Sequence, residues 1–359
     1  MKIAITADAH LRSRSDTPER YDSLKNIFEQ CRKENIEKIF VLGDLFDRDF
    51  NNYHDFDELC QTYPRLQITV LPGNHDHSLK RKFFVAQNVR VIEEPHLENA
   101  NHRLSFVFFP YEYESSIDEA LEVFINKHEK IGRFVLLGHG DWLSSLCLKN
   151  SYEHGVYMPL SQRAIEKFSP LRVFLGHIHQ VSHDIARATV VYPGSPCGLE
   201  INETGKRRFL IYDTESNGLE FREVVTPVIY FKESLLAVPV DDEFAMLRKK
   251  ISDMIDGWNV KADDFQKIKL RLKVLGFTRN KEALSSFIRQ VVASYGIAFY
   301  DESGPDFSEL NTITDEAEIM MLLISKVQDK IYNSDYSRFH ASSEDILEKA
   351  MEIIFMDKK

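Results

Sequence analysis

The sequence has 359 residues, of which 43% are hydrophobic and 28% are charged, and its formal net charge is −11 at pH 7. This composition is that of a globular protein and excludes a disordered chain, and the length predicts about two domains. The sequence has no apolar run of the roughly 18 residues that a membrane helix needs. The acidic charge does not by itself indicate binding to nucleic acid.

The cysteines and the first residues indicate where the protein resides. The cysteines are far apart in the sequence and fit neither a disulfide framework nor a zinc knuckle. They are Cys31, Cys60, Cys147 and Cys197. Residues 1–6 form a short apolar segment that runs directly into a polar motif, a layout unlike that of a signal peptide. We therefore expect reduced thiols and a cytoplasmic protein.

Up to about residue 225 the sequence alternates apolar strands with helical patterns, which is typical of a layered α/β fold. Five short runs rich in Ile, Val, Leu and Phe predict strands that are buried on both faces. These runs are 3–6, 39–42, 68–71, 134–137 and 173–175. A helix is predicted over about 20–35, where apolar residues form one stripe. Further strands are predicted at 104–109 and 188–192, with a closing hairpin of 209–213 and 219–224.

After Pro227 the pattern changes to a smaller unit with the order β-α-β-α-β. Its predicted elements are a strand at 228–240, a helix at 244–258, a strand at 267–274, a helix at 280–294 and a strand at 297–300. The middle strand alternates strictly, which predicts a half-buried strand with one basic face. The basic residues of that face are Lys267, Lys269, Arg271 and Lys273. Two helices are predicted to follow, at 315–333 and 343–356.

Each of the five apolar runs is followed directly by a polar cluster. The clusters are Asp8-Ala-His10, Gly43-Asp44-Leu-Phe-Asp47, Gly73-Asn74-His75-Asp76, Gly138-His139 and Gly176-His177-Ile-His179. A single cluster of this kind is more often a loop whose polar side chain makes an ordinary hydrogen bond than a functional site. Together they lie at the carboxyl ends of predicted strands, where an α/β sheet binds its ligands. We therefore expect the five clusters to converge on one crevice.

The side chains of these clusters predict a metal site. Asp, Asn and His supply mixed oxygen and nitrogen ligands, which suit manganese, iron or zinc. The candidate ligands are Asp8, His10, Asp44, Asn74, His139, His177 and His179. Seven ligands are too many for one tetrahedral ion and about right for two ions with one bridging carboxylate. Two such ions activate a shared water and neutralise phosphoryl oxygens, so the site suits a phosphate ester.

The spacing within the clusters leads to two geometric expectations. Asp8 and His10, like His177 and His179, are two positions apart, so both members of each pair are expected on one side of an extended segment. The glycine that precedes four of the ligands is expected to let the chain turn sharply and approach the ions closely.

These five motifs, in this order, resemble the calcineurin-like metallophosphoesterase superfamily. The resemblance implies that one ion is held by Asp8, His10, Asp44 and His179. It implies that the other ion is held by Asp44, Asn74, His139 and His177, with Asp44 as the bridge. His75 would lie over the substrate, where it would donate a hydrogen bond to the phosphate or protonate the leaving oxygen, and Asp47 would orient it. Asp47 and Asp76 are alternatively read as residues that support the turn or the ligands.

Within the superfamily the sequence most resembles the SbcD/Mre-type DNA repair nucleases. The resemblance rests on Gly-Asn-His-Asp at 73–76, on Tyr-Pro-Gly-Ser-Pro at 192–196, on Phe109-Pro110 and on the β-α-β-α-β unit, which is similar to their capping domain. It implies a β-sandwich flanked by helices over 1–226, an α+β cap over 227–302 and a C-terminal helical segment over 303–359. Two features depart from this family. Arg48 partly resembles a phosphatase arginine, and the segment 49–57 is acidic.

The expected function is a manganese-type, two-metal DNA exonuclease or endonuclease that processes DNA ends, with Fe²⁺, Zn²⁺ or Mg²⁺ as alternative metals. The alternatives are a phosphatase or cyclic-nucleotide phosphodiesterase, favoured by Arg48, and a scaffold without catalysis. The candidate DNA contacts are Arg48, Lys267, Lys269, Arg271 and Lys273, although the basic strand is equally well read as a solvated face. DNA contacts by charged residues of this kind would depend on salt.

The resemblance also implies two protein partners, a second copy of the chain and an SMC-like, SbcC-like coiled-coil ATPase. An apolar stripe on an otherwise acidic C-terminal helix would dock on that ATPase or pack on the protein's own cap. The stripe consists of Ile346, Leu347, Ala350, Ile353 and Ile354.

Overall fold

The computed structural model describes residues 1–128, 131–143, 153, 155–181, 189–240 and 242–312, together with 325–327, 329–330 and 346. The chain divides into two compact units, Met1–Val228 and Ile229–Lys359. Each unit is described by itself below. In the described part of the chain, none of the helices combines the length and the apolar character needed to cross a membrane.

The first unit contains thirteen strands, four α-helices and a short 3-10 helix, Arg81–Phe83, among its described residues. The strands are β1 (Lys2–Thr6), β2 (Lys38–Leu42), β3 (Gln67–Leu71), β4 (Val89–Val91), β5 (His96–Asn101), β6 (Leu104–Phe109), β7 (Arg133–His139), β8 (Trp142–Leu143), β9 (Leu160–Ser161), β10 (Arg172–Gly176), β11 (Val190–Val191), β12 (Arg208–Asp213) and β13 (Gly218–Glu223). The helices are α1 (Pro18–Lys33), α2 (His54–Thr62), α3 (Ile117–Lys127) and α4 (Gln162–Phe168).

Two larger sheets organise these strands. The six-stranded sheet has the order β13-β12-β1-β2-β3-β4, in which β1 to β4 are parallel and β12 runs antiparallel to β1. The five-stranded sheet has the order β11-β10-β7-β6-β5, in which only β5 is antiparallel. The parallel strands of each sheet therefore bring their carboxyl ends to a common edge, where the polar motifs begin.

The two sheets face each other across an aromatic and aliphatic core. The ring centroids of Phe40 in β2 and Phe106 in β6 are 5.3 Å apart, and those of Phe174 in β10 and Tyr212 in β12 are also 5.3 Å apart. Side chains alternate between the two faces of each strand. Phe40 therefore packs between the sheets, whereas its neighbour Val41 packs outward with α1 and α2. Burial on both faces explains why the strands read as continuous apolar runs.

Helices cover the outer face of each sheet. Helix α1 begins with Pro18 at its first turn and buries the predicted stripe of Tyr21, Leu24, Ile27, Phe28 and Cys31 in the same cluster as α2. Helices α3 and α4 pack with the outward residues of β6, β7 and β10. The unit is a helix–sheet–sheet–helix sandwich, and the predicted α/β class is confirmed.

The strand predictions agree closely with the structure of the first unit. Each of the five apolar runs lies inside a strand, respectively β1, β2, β3, β7 and β10. The predicted strand at 188–192 is shorter, since β11 comprises only Val190–Val191. Cys31, Cys60 and Cys197 are buried free thiols, and Cys147 lies outside the described residues.

Over its described residues as far as Thr312, the second unit is a parallel sheet with two α-helices and one short 3-10 helix. Its elements are β14 (Ile229–Ala237), α5 (Glu243–Gly257), β15 (Ile268–Thr278), α6 (Lys281–Ser294), β16 (Ala298–Phe299) and β17 (Asp306–Thr312). Strand β15 is central, and it pairs in parallel with β14, β16 and β17. The order β-α-β-α-β is as predicted, whereas β17 was not predicted.

The predicted basic strand differs from β15 at its start. Lys267 ends a 3-10 helix, Ala262–Lys267, and the strand begins only at Ile268. The buried residues alternate as predicted, with Ile268, Leu270 and Leu272 in the core of the unit. The two predicted C-terminal helices fall outside the described residues, apart from a few positions.

Candidate metal centre

The five polar motifs lie where the central strands of the two sheets end. Asp8, Asp44, His139 and His177 are almost fully buried, and His10 is only 5% exposed. The loops after β1 and β2 are joined by backbone hydrogen bonds, since Asp8 N donates to Gly43 O at 3.1 Å and His10 N donates to Asp44 O at 2.9 Å. Backbone pairing therefore fixes the first two motifs side by side.

The backbone of four predicted ligands is left-handed rather than extended. Their φ angles are 55° at Asp8, 45° at His10, 48° at Asp44 and 93° at His177. The expectation that Asp8 and His10 extend from one side of a straight strand is therefore wrong. Strand β1 ends at Thr6, and a tight turn then directs both side chains inward. Left-handed non-glycine residues are uncommon and cluster at functional sites, where packing holds them.

Two glycines are required for different reasons. Gly43 has φ of 86°, so the expected sharp turn before Asp44 is present. A Cβ atom at Gly43 would also collide with the imidazole of His139. A Cβ atom at Gly176 would collide with the carbonyl oxygen of Leu42. Glycine at 176 thus allows close approach of the two sheets.

Two groups of potential ligand atoms result from this convergence. Asp8, His10 and His179 form one group, and Asp44, His139 and His177 form another, with the ligand atoms of each group within 4.8 Å of one another. Asp44 lies between the groups. Its Oδ2 is 3.7 Å from Nε2 of His10 and 3.4 Å from Nε2 of His139.

Asn74 belongs with the second group. Its Oδ1 lies 2.8 Å from Nε2 of His139. All seven residues predicted as ligands are thus brought to one place. A third combination of close ligand atoms, His10, Asp44 and His75, overlaps both groups.

Hydrogen-bond partners that lie outside the two groups of ligand atoms orient two of the histidines. His139 Nδ1 lies 2.9 Å from the carbonyl oxygen of Leu42, to which only a protonated nitrogen can donate. His179 Nδ1 lies 2.7 Å from Oε1 of Glu203. When Nδ1 donates in this way, Nε2 carries the lone pair and is available to bind a metal ion. Both Nε2 atoms face the cluster.

Glu203 is a functional residue that sequence reasoning missed. Its Oε2 accepts a hydrogen bond from Ser195 at 2.9 Å, and Arg207 lies 3.5 Å away. Burial alone would raise the pKa of Glu203, but the hydrogen bond and charge of His179 lower it to about 2. Ser195 belongs to the Tyr-Pro-Gly-Ser-Pro segment, so this segment supports a ligand through Glu203.

The residues fit a pair of divalent ions. Asp8 Oδ2 is buried and has no hydrogen-bond partner among the described residues, while Asp8 Oδ1 accepts from the backbone N–H of His177 at 2.8 Å. A buried carboxylate oxygen without a donor is costly unless a cation accompanies it. The donor set of carboxylate, amide oxygen and imidazole suits manganese, iron or zinc.

His75 lies beside the ligands with a carboxylate on each side. Its Nδ1 is 3.4 Å from Asp47 Oδ1, and its Nε2 is 2.7 Å from Glu153 Oε1. Burial lowers the pKa of His75, but the two carboxylates outweigh it and raise the pKa to about 10. Asp47 also accepts from Arg12 at 2.7 Å, and despite burial these contacts hold its pKa far below the usual range.

Asp76 connects the second and third motifs. It is 6% exposed, and it accepts backbone N–H groups from Gly73 at 2.7 Å and from Phe46 at 3.1 Å. Burial and the charge of Asp44 raise its pKa to about 7. Its contacts are those of a residue that fixes the loop around Asn74.

Glu153 is a second residue that sequence reasoning missed. It accepts from Asn74 Nδ2 at 2.9 Å and from Arg48 Nη2 at 3.0 Å, in addition to its contact with His75. Tyr157 lies against the same carboxylate, and burial together with Glu153 raises the pKa of Tyr157. The predicted contact residue Arg48 is therefore beside the ligands, with its side chain 57% exposed.

The other candidate DNA contacts belong to the second unit and are mostly ion-paired. Lys267 pairs with Asp264 at 2.6 Å, and Lys273 pairs with Glu309 at 2.7 Å. Arg271 makes a two-pronged pair with Asp301, at 2.9 and 3.0 Å. Lys269 is exposed. This face carries less free positive charge than its sequence suggested.

Trp142 follows Gly138-His139-Gly140 closely in the sequence, where its indole could stack on a base or pack locally. Its side chain packs against the core cluster on the outer side of the five-stranded sheet, and its backbone N–H donates to Tyr192 Oη at 2.8 Å. The structure supports the alternative of local packing.

The sandwich fold and the two groups of ligands define the class of the protein, a metal-dependent hydrolase. The family model described as calcineurin-like phosphoesterase matches residues 1–181, half of the 359 residues. The chain belongs to this family of two-metal phosphoesterases. Comparison with curated proteins gives no match.

Several solved structures share the fold weakly. TT1561 of Thermus thermophilus is 13% identical with a TM-score of 0.42, and the match covers 62% of this chain and 98% of that one. A novel archaeal phosphodiesterase is 17% identical with a TM-score of 0.35, covering 62% and 100%. A dimetal phosphatase from Danio rerio is 12% identical with a TM-score of 0.38, covering 62% and 96%. Likenesses of this strength carry no argument about substrate.

Proposed function

We propose that this protein is a two-metal phosphodiesterase whose substrate is DNA, acting as an exonuclease or endonuclease at DNA ends. The observation that carries the chemistry is the position of Asp44, whose Oδ2 lies between His10 of one ligand group and His139 of the other. A shared carboxylate between two ligand groups is the arrangement that a dinuclear site requires.

The proposed ligand sets divide the seven residues. Asp8, His10, Asp44 and His179 would hold one ion, and Asp44, Asn74, His139 and His177 would hold the other. When bound, the two ions lower the pKa of a shared water and neutralise the oxygens of the phosphoryl group. Glu203 and the carbonyl of Leu42 keep Nε2 of His179 and His139 directed at the ions.

His75 acts on the substrate in this proposal. Its Nδ1 lies 3.4 Å from Asp47 and its Nε2 lies 2.7 Å from Glu153, and these two carboxylates favour the imidazolium form. An imidazolium N–H stabilises a phosphoryl oxygen or protonates the leaving oxygen as the ester bond breaks. Asp47 holds the ring by its Nδ1 side. His75 and Asp47 are thus the proposed catalytic and orienting residues.

The choice of DNA rests on the resemblance to SbcD/Mre-type nucleases and on the second unit. The unit has the predicted element order, and Lys269 is an exposed cation on its central strand. The affinity for DNA gains further contributions when backbone phosphates displace the carboxylate partners of Lys267, Arg271 and Lys273. These contributions fall as the salt concentration rises. Lys269→Ala should reduce the salt dependence of DNA affinity by about one ion.

A cleavage assay with several substrates tests the proposal. Purified protein with Mn²⁺ should degrade end-labelled duplex or single-stranded DNA as well as bis(p-nitrophenyl) phosphate, and His75→Ala should lose DNA cleavage while keeping its metal. Hydrolysis of small esters with no cleavage of either form of DNA would overturn the DNA proposal. Metal binding by wild type without cleavage of any of these substrates would point to a scaffold without catalysis.

A phosphatase or cyclic-nucleotide phosphodiesterase is the second candidate. Arg48 favours it, because its guanidinium lies 3.0 Å from Glu153 and beside His75, where an arginine can grip a terminal phosphate. Such an enzyme should prefer p-nitrophenyl phosphate or a cyclic nucleotide over DNA. Deletion of the second unit should then leave the preferred substrate unchanged.

We further propose manganese as the natural metal, a homodimer as the assembled form and an SMC-like, SbcC-like ATPase as a partner in the cytoplasm. The docking stripe proposed for that ATPase lies outside the described residues apart from Ile346. Co-purification with a long coiled-coil ATPase encoded nearby would support the partnership.

A further inference from the structure

Glu153 is the most distinctive feature of the site that the ligand sets do not explain. It is 78 positions from His75 in the sequence, yet its carboxylate lies 2.7 Å from Nε2 of that histidine. The same carboxylate accepts from Asn74 Nδ2, at 2.9 Å to Oε2 and 3.2 Å to Oε1, and from Arg48 Nη2 at 3.0 Å. The side chain is only 11% exposed.

These partners are all donors that a phosphate ester would also use. His75 Nε2 is the group proposed to donate to the substrate, and Arg48 carries a guanidinium suited to an oxyanion. Asn74 directs its Oδ1 to His139 and its Nδ2 to Glu153, so the amide hydrogens face away from the ligand group. We call the three donors Arg48, Asn74 and His75 the anion-binding cradle. The carboxylate of Glu153 occupies this cradle.

A carboxylate is a close chemical match for a phosphodiester in this cradle. Each has one negative charge shared between two oxygens without protons, and each accepts hydrogen bonds from several donors at once. Glu153 belongs to none of the groups of close ligand atoms found among the described residues, and its Oε2 is 3.9 Å from Nδ1 of His177, which is longer than its contacts with the three donors.

We propose that Glu153 is a built-in competitor for the phosphoryl group, and that it sets the affinity of the site for substrate. This inference rests on the proposed phosphodiesterase function. A substrate phosphate must displace the Glu153 carboxylate from His75, Asn74 and Arg48 before it can bind. Apparent affinity is therefore reduced by the fraction of molecules in which the cradle is filled.

Variants at 153 test this inference by equilibrium binding. Inorganic phosphate is titrated calorimetrically into Mn²⁺-loaded wild type, Glu153→Ala and Glu153→Gln. With the cradle filled in about nine molecules of ten, Glu153→Ala should bind phosphate roughly tenfold more tightly, and Glu153→Gln should shift in the same direction. KM for bis(p-nitrophenyl) phosphate should fall in parallel. The matched control is Glu122→Gln, an exposed glutamate paired with Lys167, which should change neither value.

The other outcomes separate the competing roles. Unchanged or weaker phosphate binding in both variants, with a lower melting temperature, would show that the hydrogen bonds of Glu153 only stabilise the fold. That result would overturn the inference. Weaker Mn²⁺ binding in both variants would make Glu153 a metal ligand and overturn it as well. If wild type and Glu153→Ala, both metal-loaded, bind no phosphate and cleave no ester, the proposed function fails too. Cleavage by wild type without tighter binding in the variants would remove only the inference.

Discussion

The Nε2 atoms of His10 and His179 lie 3.2 Å apart, although 169 positions separate the two residues in the sequence. His179 is held by Glu203 through Nδ1, so its Nε2 presents a lone pair toward His10. Two imidazole nitrogens that face each other beside the buried Asp8 carboxylate are placed where one cation can bind all three residues.

Metal binding should therefore stabilise the first unit. Mn²⁺ at about one hundred times its dissociation constant contributes about 2.7 kcal/mol to the folded state, which corresponds to a rise in Tm of roughly 5–10 °C for a unit of this size. Differential scanning calorimetry of chelator-treated protein with and without Mn²⁺ measures the shift. An identical Tm in both conditions would argue against a site formed by these residues.

Glu203→Gln should weaken the metal site without removing a ligand. The loss of the charged partner of His179 Nδ1 should reduce metal affinity or activity about 10–100-fold. Mn²⁺ titration and the rate of diester cleavage measure the two effects. Glu223→Gln is a fair control, because Glu223 is 49% exposed and pairs with Lys206 at the surface. Equal metal affinity in wild type and Glu203→Gln would refute the orienting role.

The contrast between Glu203 and the ligands shows what the sequence can reveal. Asp8, Asp44 and His139 are detectable because each follows an apolar run that can only be a buried strand, and parallel strands end at a common edge. Glu203 and Glu153 follow no such strand. They reach their partners across 24 and 78 positions, and no local spacing encodes those contacts.

The backbone conformation of the ligand loops could not be predicted from the sequence either. The two-residue spacing of Asp8 and His10 indicated a common side of an extended segment, but the loop pairing with Gly43 and Asp44 imposes left-handed backbone on both. In the second unit the sequence predicted the alternation of buried and basic residues along β15. It did not predict the acidic partners of those basic residues. Asp301 and Glu309 are too distant in sequence to suggest pairs with Arg271 and Lys273.

His75→Ala should slow catalysis and leave metal content intact. General acid catalysis contributes about 10²–10⁴-fold, so kcat for DNA should fall by that order. The loss should be much smaller for bis(p-nitrophenyl) phosphate, because nitrophenolate leaves readily without a proton. Comparing the two substrates at fixed Mn²⁺ occupancy tests the role. Equal losses on both substrates would instead assign His75 to phosphate binding alone.

Glu98 gives a pH-dependent contribution to stability away from the metal centre. It pairs with Lys38 at 2.7 Å and with Arg90 at 2.8 Å, and although burial alone would raise its pKa, these cations lower it. A carboxylate with a depressed folded-state pKa contributes its full stability above the unfolded value of about 4.3 and loses it as pH falls through the folded value.

Glu98→Gln should accordingly destabilise the first unit by about 1 kcal/mol at pH 6–7. The difference from wild type should shrink steadily below about pH 4.3. Urea unfolding of both proteins across this range measures it, with the exposed-site variant Glu223→Gln as a control. A difference that grows toward low pH would reverse the assigned sign.

The most direct test of the two-metal account is a crystal structure with Mn²⁺ and anomalous diffraction data. We predict two peaks about 3.5–4 Å apart with Asp44 between them, one bound by Asp8, His10 and His179 and the other by Asn74, His139 and His177. A single peak, or two peaks that do not share Asp44, would contradict the account.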